Sequence, residues 1–125
     1  MVSHIDIAAI PAEALNIPSD CYVVIDCIRA TTTIATLFAR GMESLLVTDD
    51  LELARVRAAA EDRLLFGEVG GLPPDDFDYG NSPSAASTLA LAGTRGVLYT
   101  TNGTTALCVL AASGAAVVAG ALANI

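Results

Sequence analysis

Six short runs of mostly apolar residues, separated by polar or helix-like stretches, constrain the fold more than any other feature of the chain. Continuous apolar runs are typical of parallel strands buried on both faces. Strands that alternate with helices predict a parallel sheet with helices on both sides, so we predict one three-layer α/β domain over residues 1–125. The predicted strands are HIDIAAI (4–10), CYVVID (21–26), SLLVT (44–48), LLFGEV (64–69), GVLYTT (96–101) and AAVVAGALA (115–123).

Capping signals and apolar spacing predict the helices between these strands. In the first helix Ile34, Leu37 and Phe38 share one face, and Gly41 is placed to end it. Two later helices are predicted over residues 82–93, from the Ser-Pro start signal, and over residues 104–113.

One further helix is predicted after the third strand. Asp49 lies three residues before Glu52, as in a capping box with Asp in place of Ser. Leu53 and Val56 would then form its buried stripe.

The charge balance excludes several classes of partner. The formal net charge is −8, and all six basic residues are arginines. An acidic domain has no electrostatic footprint for nucleic acid or for an anionic membrane. The lack of lysine excludes a Schiff base or a P-loop lysine in this segment.

Cysteine and histidine are too few and too scattered for a zinc site. His4 is the single histidine, and Cys21, Cys27 and Cys108 form no C-x-x-C pair. We expect the cysteines to be free thiols in the core, which fits a reducing compartment and a cytoplasmic location. The start of the chain has no signal-peptide pattern, and the charge-free tract 96–125 is divided by glycines, so it is predicted as core and not as a membrane span.

Polar residues gather where the predicted strands end. Asp26 ends the second run and leads to Arg29, Glu68 ends the fourth, Asn81 opens a helix, and TTNGTT (100–105) follows the fifth. In a parallel sheet these strand ends meet at one edge, where ligands bind beside helix N-termini. The sequence therefore predicts one anion site there.

The residue types suggest the chemistry of that site. Asp26, Glu68 and Asp78, with no thiolate or imidazole partner, suit a hard cation, Mg²⁺ before Zn²⁺. Arg29 can grip a phosphate or sulfonate bidentately, and hydroxyls and backbone N–H groups of RATTT (29–33) add donors.

Structural interpretations stay open for several of these residues. Asp26 alone could be a helix N-cap. For Thr104 or Thr105 alone, the role of a helix cap is favoured over that of a ligand. Asp75 and Asp76 are expected to be solvated loop residues. Glu68 has no evident structural role.

Four blocks, VVIDCIRATTTIATLFARG, GEVGG, FDYGNSPS and YTTNGTTAL, in this order and spacing resemble the 2-phosphosulfolactate phosphatase family of coenzyme M biosynthesis. The resemblance implies an α/β, magnesium-dependent acid phosphatase that converts (R)-2-phospho-3-sulfolactate to 3-sulfolactate and phosphate. Together, the residue types and the resemblance give catalytic candidates Asp26, Arg29, Glu68 and Asn102. The substrate-binding candidates are Thr31, Thr32, Thr33, Asn81, Ser82, Thr101, Gly103 and Thr104, and the metal candidates are Asp26, Glu68 and Asp78.

Members of that family are longer than this chain. We therefore expect residues 1–125 to be the N-terminal part of a longer protein, or to form a homo-oligomer through the C-terminal region. The alternative functions are a non-catalytic anion-binding domain and a nucleotide- or sugar-phosphate-binding α/β domain.

Overall fold

The computed structural model describes residues 4–124, in which helices and strands alternate. The helices are α1 (Pro11–Ala14), α2 (Ala30–Ala39), α3 (Leu51–Glu61), α4 (Pro83–Ala86) and α5 (Gly103–Ala111), and a 3-10 turn follows at Leu122–Asn124. The strands are β1 (Cys21–Ile25), β2 (Ser44–Thr48), β3 (Leu64–Gly67), β4 (Tyr79–Gly80), β5 (Arg95–Tyr99) and β6 (Ala116–Gly120).

Every pairing between these strands is parallel, which confirms the predicted α/β class. The strands form two sheets where one was predicted: β1 pairs with β6, and the other four have the order β2-β5-β3-β4.

Alternate side chains of the central strands point into two separate cores. Phe66 of β3 and Leu98 of β5 pack with α2 and α4, whereas Leu65 and Val97 pack with α3. Because successive strand residues face opposite sides of a sheet, helices cover both faces of the four-stranded sheet. This is the predicted three-layer arrangement.

The predicted strand over residues 4–10 is wrong. These residues belong to no strand, and Ile5 and Ile7 are exposed. The chain turns into α1 at Pro11, which lacks an N–H and is therefore well suited to the first helical position. An alternating apolar pattern becomes a strand only where a neighbouring strand supplies hydrogen bonds, and none does so here within residues 4–124.

The first predicted helix is confirmed as α2, with a narrower buried face. Ile34 and Leu37 are buried, whereas Phe38 is about half exposed. Gly41 follows the C-cap residue in the left-handed region, with φ at +91°, as predicted for the end of this helix.

The predicted cap of α3 is one residue too early. Asp50, and not Asp49, is the N-cap, and its carboxylate accepts the Leu53 N–H at 2.9 Å. The predicted buried stripe is also wrong, because Leu53 and Val56 face solvent. The residues that face the sheet are Ala54 and Ala58.

The helix predicted from Ser82 to Gly93 is a single turn, α4. Ser82 is its N-cap, as predicted, and its hydroxyl accepts a first-turn backbone N–H. The hydroxyls of Ser87 and Thr88 donate to carbonyls three residues back, at 2.7 and 2.8 Å, and local bonds of this kind compete with helix continuation.

The CYVVID run predicts a strand buried on both faces, but one face of the β1–β6 pair is exposed. Val23, Ile25 and Val118 are 58%, 70% and 49% exposed. Val23 pairs with Val118 in the parallel register, so these side chains form one apolar face. Within residues 4–124 no helix covers it.

The expected burial of the cysteines is also wrong. Cys21 is exposed on β1, and Cys27 and Cys108 are partly exposed. Of the described residues, no helix is both long and apolar enough to cross a membrane.

Gly67, the last residue of β3, allows a close approach between two strands. Its φ is +144°, and a Cβ atom there would lie 1.8 Å from the Tyr99 carbonyl oxygen of β5. The next residue, Glu68, donates its N–H to that same oxygen at 3.1 Å. Glycine at this position therefore sets how the chain leaves the sheet.

We predict that Gly67→Ala lowers the free energy of unfolding by about 3 kcal/mol or more, because backbone strain and steric overlap each cost about 1–3 kcal/mol. Gly114→Ala is the matched control. Gly114 has φ of +84° but open space around the Cβ position, so only the strain is added. Urea unfolding that shows equal losses for the two variants would contradict the packing argument.

Candidate functional site

A cleft of 460 Å³ opens at the carboxyl ends of β1, β3, β4 and β5. Each of these strands contributes the residues that directly follow it, as expected for parallel strands. The lining residues are Asp26, Ile28, Arg29, Glu68, Gly70, Gly71, Asn81, Thr100, Thr101, Asn102 and Gly103.

Most of the predicted site residues meet in this cleft. Those brought together are Asp26, Arg29, Glu68, Asn81, Thr101, Asn102 and Gly103. Those outside its lining are Thr31, Thr32, Thr33, Asp78, Ser82 and Thr104.

Asp26 presents a free carboxylate to the cleft. Its side chain is half-buried and accepts no hydrogen bond from residues 4–124, so it is not a helix cap. Its backbone is fixed by Thr31, whose N–H donates to the Asp26 carbonyl at 3.1 Å and whose hydroxyl accepts the Asp26 N–H at 3.0 Å. A Cβ atom at Gly103 would lie 2.5 Å from Asp26 Oδ2. The N-terminus of α5 can therefore lie this close to the carboxylate only with glycine at position 103.

The threonine run builds the turn between β1 and α2. The Thr32 hydroxyl donates to the Cys27 carbonyl at 2.8 Å, and the Thr33 hydroxyl donates to the Arg29 carbonyl at 3.1 Å. Thr31 and Thr33 are fully buried. The run therefore satisfies the backbone of the turn, and it does not supply cleft donors as predicted.

Arg29 lies at the N-cap position of α2 and lines the cleft. Its Nη2 donates to the Gly71 carbonyl at 3.2 Å. This bond ties the β1–α2 turn to the loop after β3 and leaves the other guanidinium N–H groups without a partner in residues 4–124.

Glu68 is buried and has its oxygens occupied by other groups of the chain. Oε1 accepts the Thr101 N–H at 2.7 Å, and Oε2 accepts the Gly71 N–H at 2.5 Å and the Thr101 hydroxyl at 3.1 Å. Burial acts to raise the pKa of Glu68, but these hydrogen bonds, with the nearby charge of Arg29, hold that pKa below its usual range. Glu68 is therefore a charged anchor between two loops.

Asp78 does not join the other two predicted metal ligands. It lies at the opening end of β4, where its carboxylate accepts the Leu65 N–H at 2.8 Å, whereas Asp26 and Glu68 follow strand ends. Among residues 4–124, no three His, Cys, Asp or Glu side chains are grouped so that they could hold a metal ion.

Two predicted substrate-binding residues have structural roles: Ser82 is the N-cap of α4, and Thr104 binds the backbone of the loop before α5. The Ser82 hydroxyl accepts the Ala85 N–H at 3.3 Å. Thr104 is fully buried, and its hydroxyl donates to the Thr100 carbonyl at 2.8 Å and accepts the Thr100 N–H at 3.0 Å. Thr104 is therefore neither a cleft ligand nor the helix cap that the sequence left open, because Asn102 is the N-cap of α5.

The N-terminus of α5 faces the cleft with unused polar groups. Asn102 is the N-cap residue, and its exposed side chain makes no capping bond. The Gly103 N–H donates to no group within residues 4–124. Backbone donors and the helix dipole at such a terminus favour an anion.

Asn81 brings a buried acceptor to the cleft. The residue is 4% exposed, and its Oδ1 has no hydrogen-bond partner among residues 4–124. It directly follows β4, whose Gly80 pairs with Gly67, so Asn81 and Glu68 leave neighbouring strands side by side.

Sequence reasoning missed Ile28, Gly70 and Gly71 as cleft residues, whereas Thr100 was included only as part of the TTNGTT run. The Gly70–Gly71 pair carries a detectable signal, because a double glycine after a strand marks a tight turn. Nothing in the local sequence around Ile28 indicates its place.

Comparison with known proteins connects the cleft to one family. The family model for 2-phosphosulpholactate phosphatase matches residues 8–125. Three similar curated proteins, each named "Probable 2-phosphosulfolactate phosphatase", come from Thermus thermophilus (48% identical over 97 residues), Deinococcus radiodurans (48% over 106) and Synechococcus sp. strain CC9605 (46% over 102). The alignments cover 78%, 84% and 78% of this chain but only 40%, 44% and 42% of those proteins. The match therefore includes every element that lines the cleft, and the chain belongs to the 2-phosphosulpholactate phosphatase family.

Proposed function

We propose that the cleft binds and hydrolyses a phosphate monoester of a small acidic metabolite, with (R)-2-phospho-3-sulfolactate as substrate and 3-sulfolactate and phosphate as products. The observation that carries this proposal is the meeting of a free carboxylate, Asp26, with the guanidinium of Arg29 and the N-terminus of α5. The names of the family and of the three relatives support the choice of substrate.

Arg29 and the start of α5 would hold the phosphoryl group. A guanidinium offers two parallel N–H donors to phosphate oxygens, and the Gly103 N–H adds a donor at the positive end of the helix. A cleft of 460 Å³ has room for a small ester. These donors would also stabilise the charge that develops on the phosphoryl oxygens during transfer.

The electrostatics of the lining favour a cation beside the phosphate. Two carboxylates, Asp26 and Glu68, face one guanidinium among the lining residues, so a phosphate dianion would enter a site without excess positive charge. The unoccupied carboxylate of Asp26 and the carboxamide oxygen of Asn81 are hard oxygen donors of the kind that Mg²⁺ takes. Bound Mg²⁺ would supply charge neutralisation and a more acidic water.

Asp26 is the group that the chain offers for the chemical step. It is the one lining carboxylate with no hydrogen bond from residues 4–124, so it can orient and deprotonate a water that attacks phosphorus, or attack phosphorus itself. In the first route the bond between phosphorus and the ester oxygen breaks, and that oxygen takes the proton that the water gave to Asp26. In the second route the ester oxygen leaves with a proton from solvent, and water then hydrolyses the acyl phosphate on Asp26, which releases phosphate and restores the carboxylate. Glu68 would position the loops and take no proton.

One observation favours a second candidate, an anion-binding domain without turnover. The chain spans only 40% to 44% of the length of the three relatives, so their remaining residues have no counterpart in the alignment.

The cytoplasmic location, the role in coenzyme M biosynthesis and the homo-oligomer stay predictions.

Phosphate release from (R)-2-phospho-3-sulfolactate, measured with Mg²⁺ and with excess EDTA, separates the two candidates. We expect release that requires the metal. The 2-phospholactate analogue, which lacks the sulfonate, is the matched substrate control and should be the poorer substrate. Tight binding of phosphate or substrate by calorimetry with no release in either condition would favour the anion-binding domain.

We predict that Arg29→Ala weakens the binding of inorganic phosphate about tenfold to a hundredfold, because a charge-assisted contact contributes about 1.5–3 kcal/mol. Arg57→Ala is the control, since Arg57 pairs with Glu61 on α3 and does not line the cleft. Calorimetry that finds equal phosphate affinity in both variants would show that Arg29 does not hold the anion.

We predict that Glu68→Gln lowers the free energy of unfolding at pH 7 by about 1.5–3 kcal/mol, because a neutral amide cannot accept the charge-assisted bonds from Thr101 and Gly71. Glu52→Gln is the control: it changes only an exposed surface pair with Arg55 and should cost little.

The acid dependence of that loss has a defined sign. The pKa of folded Glu68 lies below its ordinary value of 4.5, so its stabilisation is fully present above that pH and is lost as the pH falls through the lower folded pKa. Urea unfolding should therefore show the difference between wild type and Glu68→Gln shrinking as the pH falls from 7 to 3. A difference that does not depend on pH would contradict a charged Glu68.

A further inference from the structure

Both backbone polar groups of Asp26 are bound by one residue, Thr31. The Thr31 N–H donates to the Asp26 carbonyl at 3.1 Å, and the Thr31 hydroxyl accepts the Asp26 N–H at 3.0 Å. The parallel register of β1 with β6 ends at the pair of Ile25 and Gly120, one residue before Asp26. Thr31 therefore supplies the backbone hydrogen bonds of Asp26 at the point where that register ends.

Thr31 connects Asp26 to the better-buried part of the molecule. The residue is fully buried and does not line the cleft, so it does not touch a ligand itself. It lies in the first turn of α2, and α2 packs through Ile34 and Leu37 into the core that contains Phe66 and Leu98 of the four-stranded sheet. The same sheet leads into the other loops that line the cleft. The strand before Asp26, in contrast, has one exposed face.

The Asp26 carboxylate lies in a narrow space. A Cβ atom at Gly103 would overlap both Asp26 Oδ2 and the Ala30 Cβ atom, so the start of α5 lies directly against the start of α2 and the carboxylate. A shift of the Asp26 backbone would therefore press Oδ2 against α5 or move it away from the phosphoryl group. A misplacement of about 1 Å in a reacting group can lower a rate by about a hundredfold.

Resting on the function proposed above, we propose that Thr31 is a positioning residue for the chemical step. Its hydroxyl holds the Asp26 backbone, and through it the carboxylate, in the orientation that faces the phosphoryl group. Arg29 and the Gly103 N–H bind the anion, and neither depends on the Thr31 hydroxyl for its donors. The role of Thr31 should therefore appear in kcat and not in the affinity for phosphate.

Three variants test this role. Thr31→Val removes the hydroxyl and keeps the branched shape, whereas Thr31→Ser keeps the hydroxyl. Thr48→Val is the matched control. Thr48 is 4% exposed, and its hydroxyl accepts the Asp50 N–H at 3.1 Å, but it lies at the end of β2 and outside the cleft lining. Each valine variant leaves one backbone N–H without its acceptor, so the two should lose similar amounts of stability.

The first readout is the hydrolysis of (R)-2-phospho-3-sulfolactate with Mg²⁺, with inorganic phosphate as a competitive inhibitor. We expect Thr31→Val to lower kcat at least about tenfold and to change the inhibition constant of phosphate less than about twofold. Thr31→Ser should keep at least about half of the wild-type kcat, and Thr48→Val should keep all of it. Three results would overturn the proposal: wild-type kcat in Thr31→Val, equal losses of kcat in the two valine variants, and a loss in Thr31→Val confined to phosphate affinity.

A serine–cysteine pair decides the question if Thr31→Val fails to fold. Thr31→Ser and Thr31→Cys differ by one atom, and a thiol is a weaker hydrogen-bond acceptor than a hydroxyl. The kcat of Thr31→Cys should then be at least about threefold lower than that of Thr31→Ser. Equal kcat values in this pair would contradict the positioning role.

A second readout does not need turnover. In ¹³C-labelled protein, the carboxylate carbon signal of Asp26 should shift in Thr31→Val and keep its wild-type position in Thr31→Ser and Thr48→Val. An unchanged signal in folded Thr31→Val would overturn the proposal. Wild-type protein that releases no phosphate would contradict the proposed hydrolysis, and a shifted Asp26 signal in Thr31→Val would still show that Thr31 places this carboxylate.

Discussion

The buried carboxylate of Glu68 is the interaction on which the cleft depends. It accepts N–H groups from the loop after β3 and from the loop after β5, at 2.5 and 2.7 Å. Arg29 then donates to the Gly71 carbonyl of the first of these loops at 3.2 Å, which brings in the turn after β1. Three strand ends are thereby held by one anion and one cation. Such loops would otherwise be the least ordered part of a parallel sheet.

The polar residues of the motifs divide into those that build this framework and those left free. The framework residues include Thr31, Thr33 and Thr104. Each is fully buried and forms a hydrogen bond between its hydroxyl and a backbone group. Asp26 and Asn81 keep oxygens that no other group of residues 4–124 binds. A polar residue in a motif can thus stabilise the turn that presents the site, and only the free groups can act on a ligand.

The sequence predicted the class, the parallel pairing and most of the cleft, because strand ends of a parallel sheet must meet. It could not assign different roles to Glu68 and Asp26, since both are carboxylates at strand ends. Only the structure shows that Glu68 accepts hydrogen bonds from neighbouring N–H groups. Asp78 was grouped with these two carboxylates because the sequence predicts no strand at Tyr79–Gly80, which makes Asp78 part of the loop after Glu68 and not the residue before β4. The cap at Asp50 was missed because adjacent aspartates offer equivalent signals, and packing of the helix against the sheet selects between them.

The cleft joins two sheets that differ in how well they are buried. Glu68 and Asn81 follow strands of the four-stranded sheet, which has a core on each face, whereas Asp26 follows β1, where Val23 and Ile25 are exposed. Local opening is easiest where few apolar contacts are buried. The position of Asp26 relative to the other groups therefore depends on the Arg29–Gly71 bond and on the contact with Gly103. A partner packed on the apolar face of β1 and β6 would therefore also fix the strand that carries Asp26.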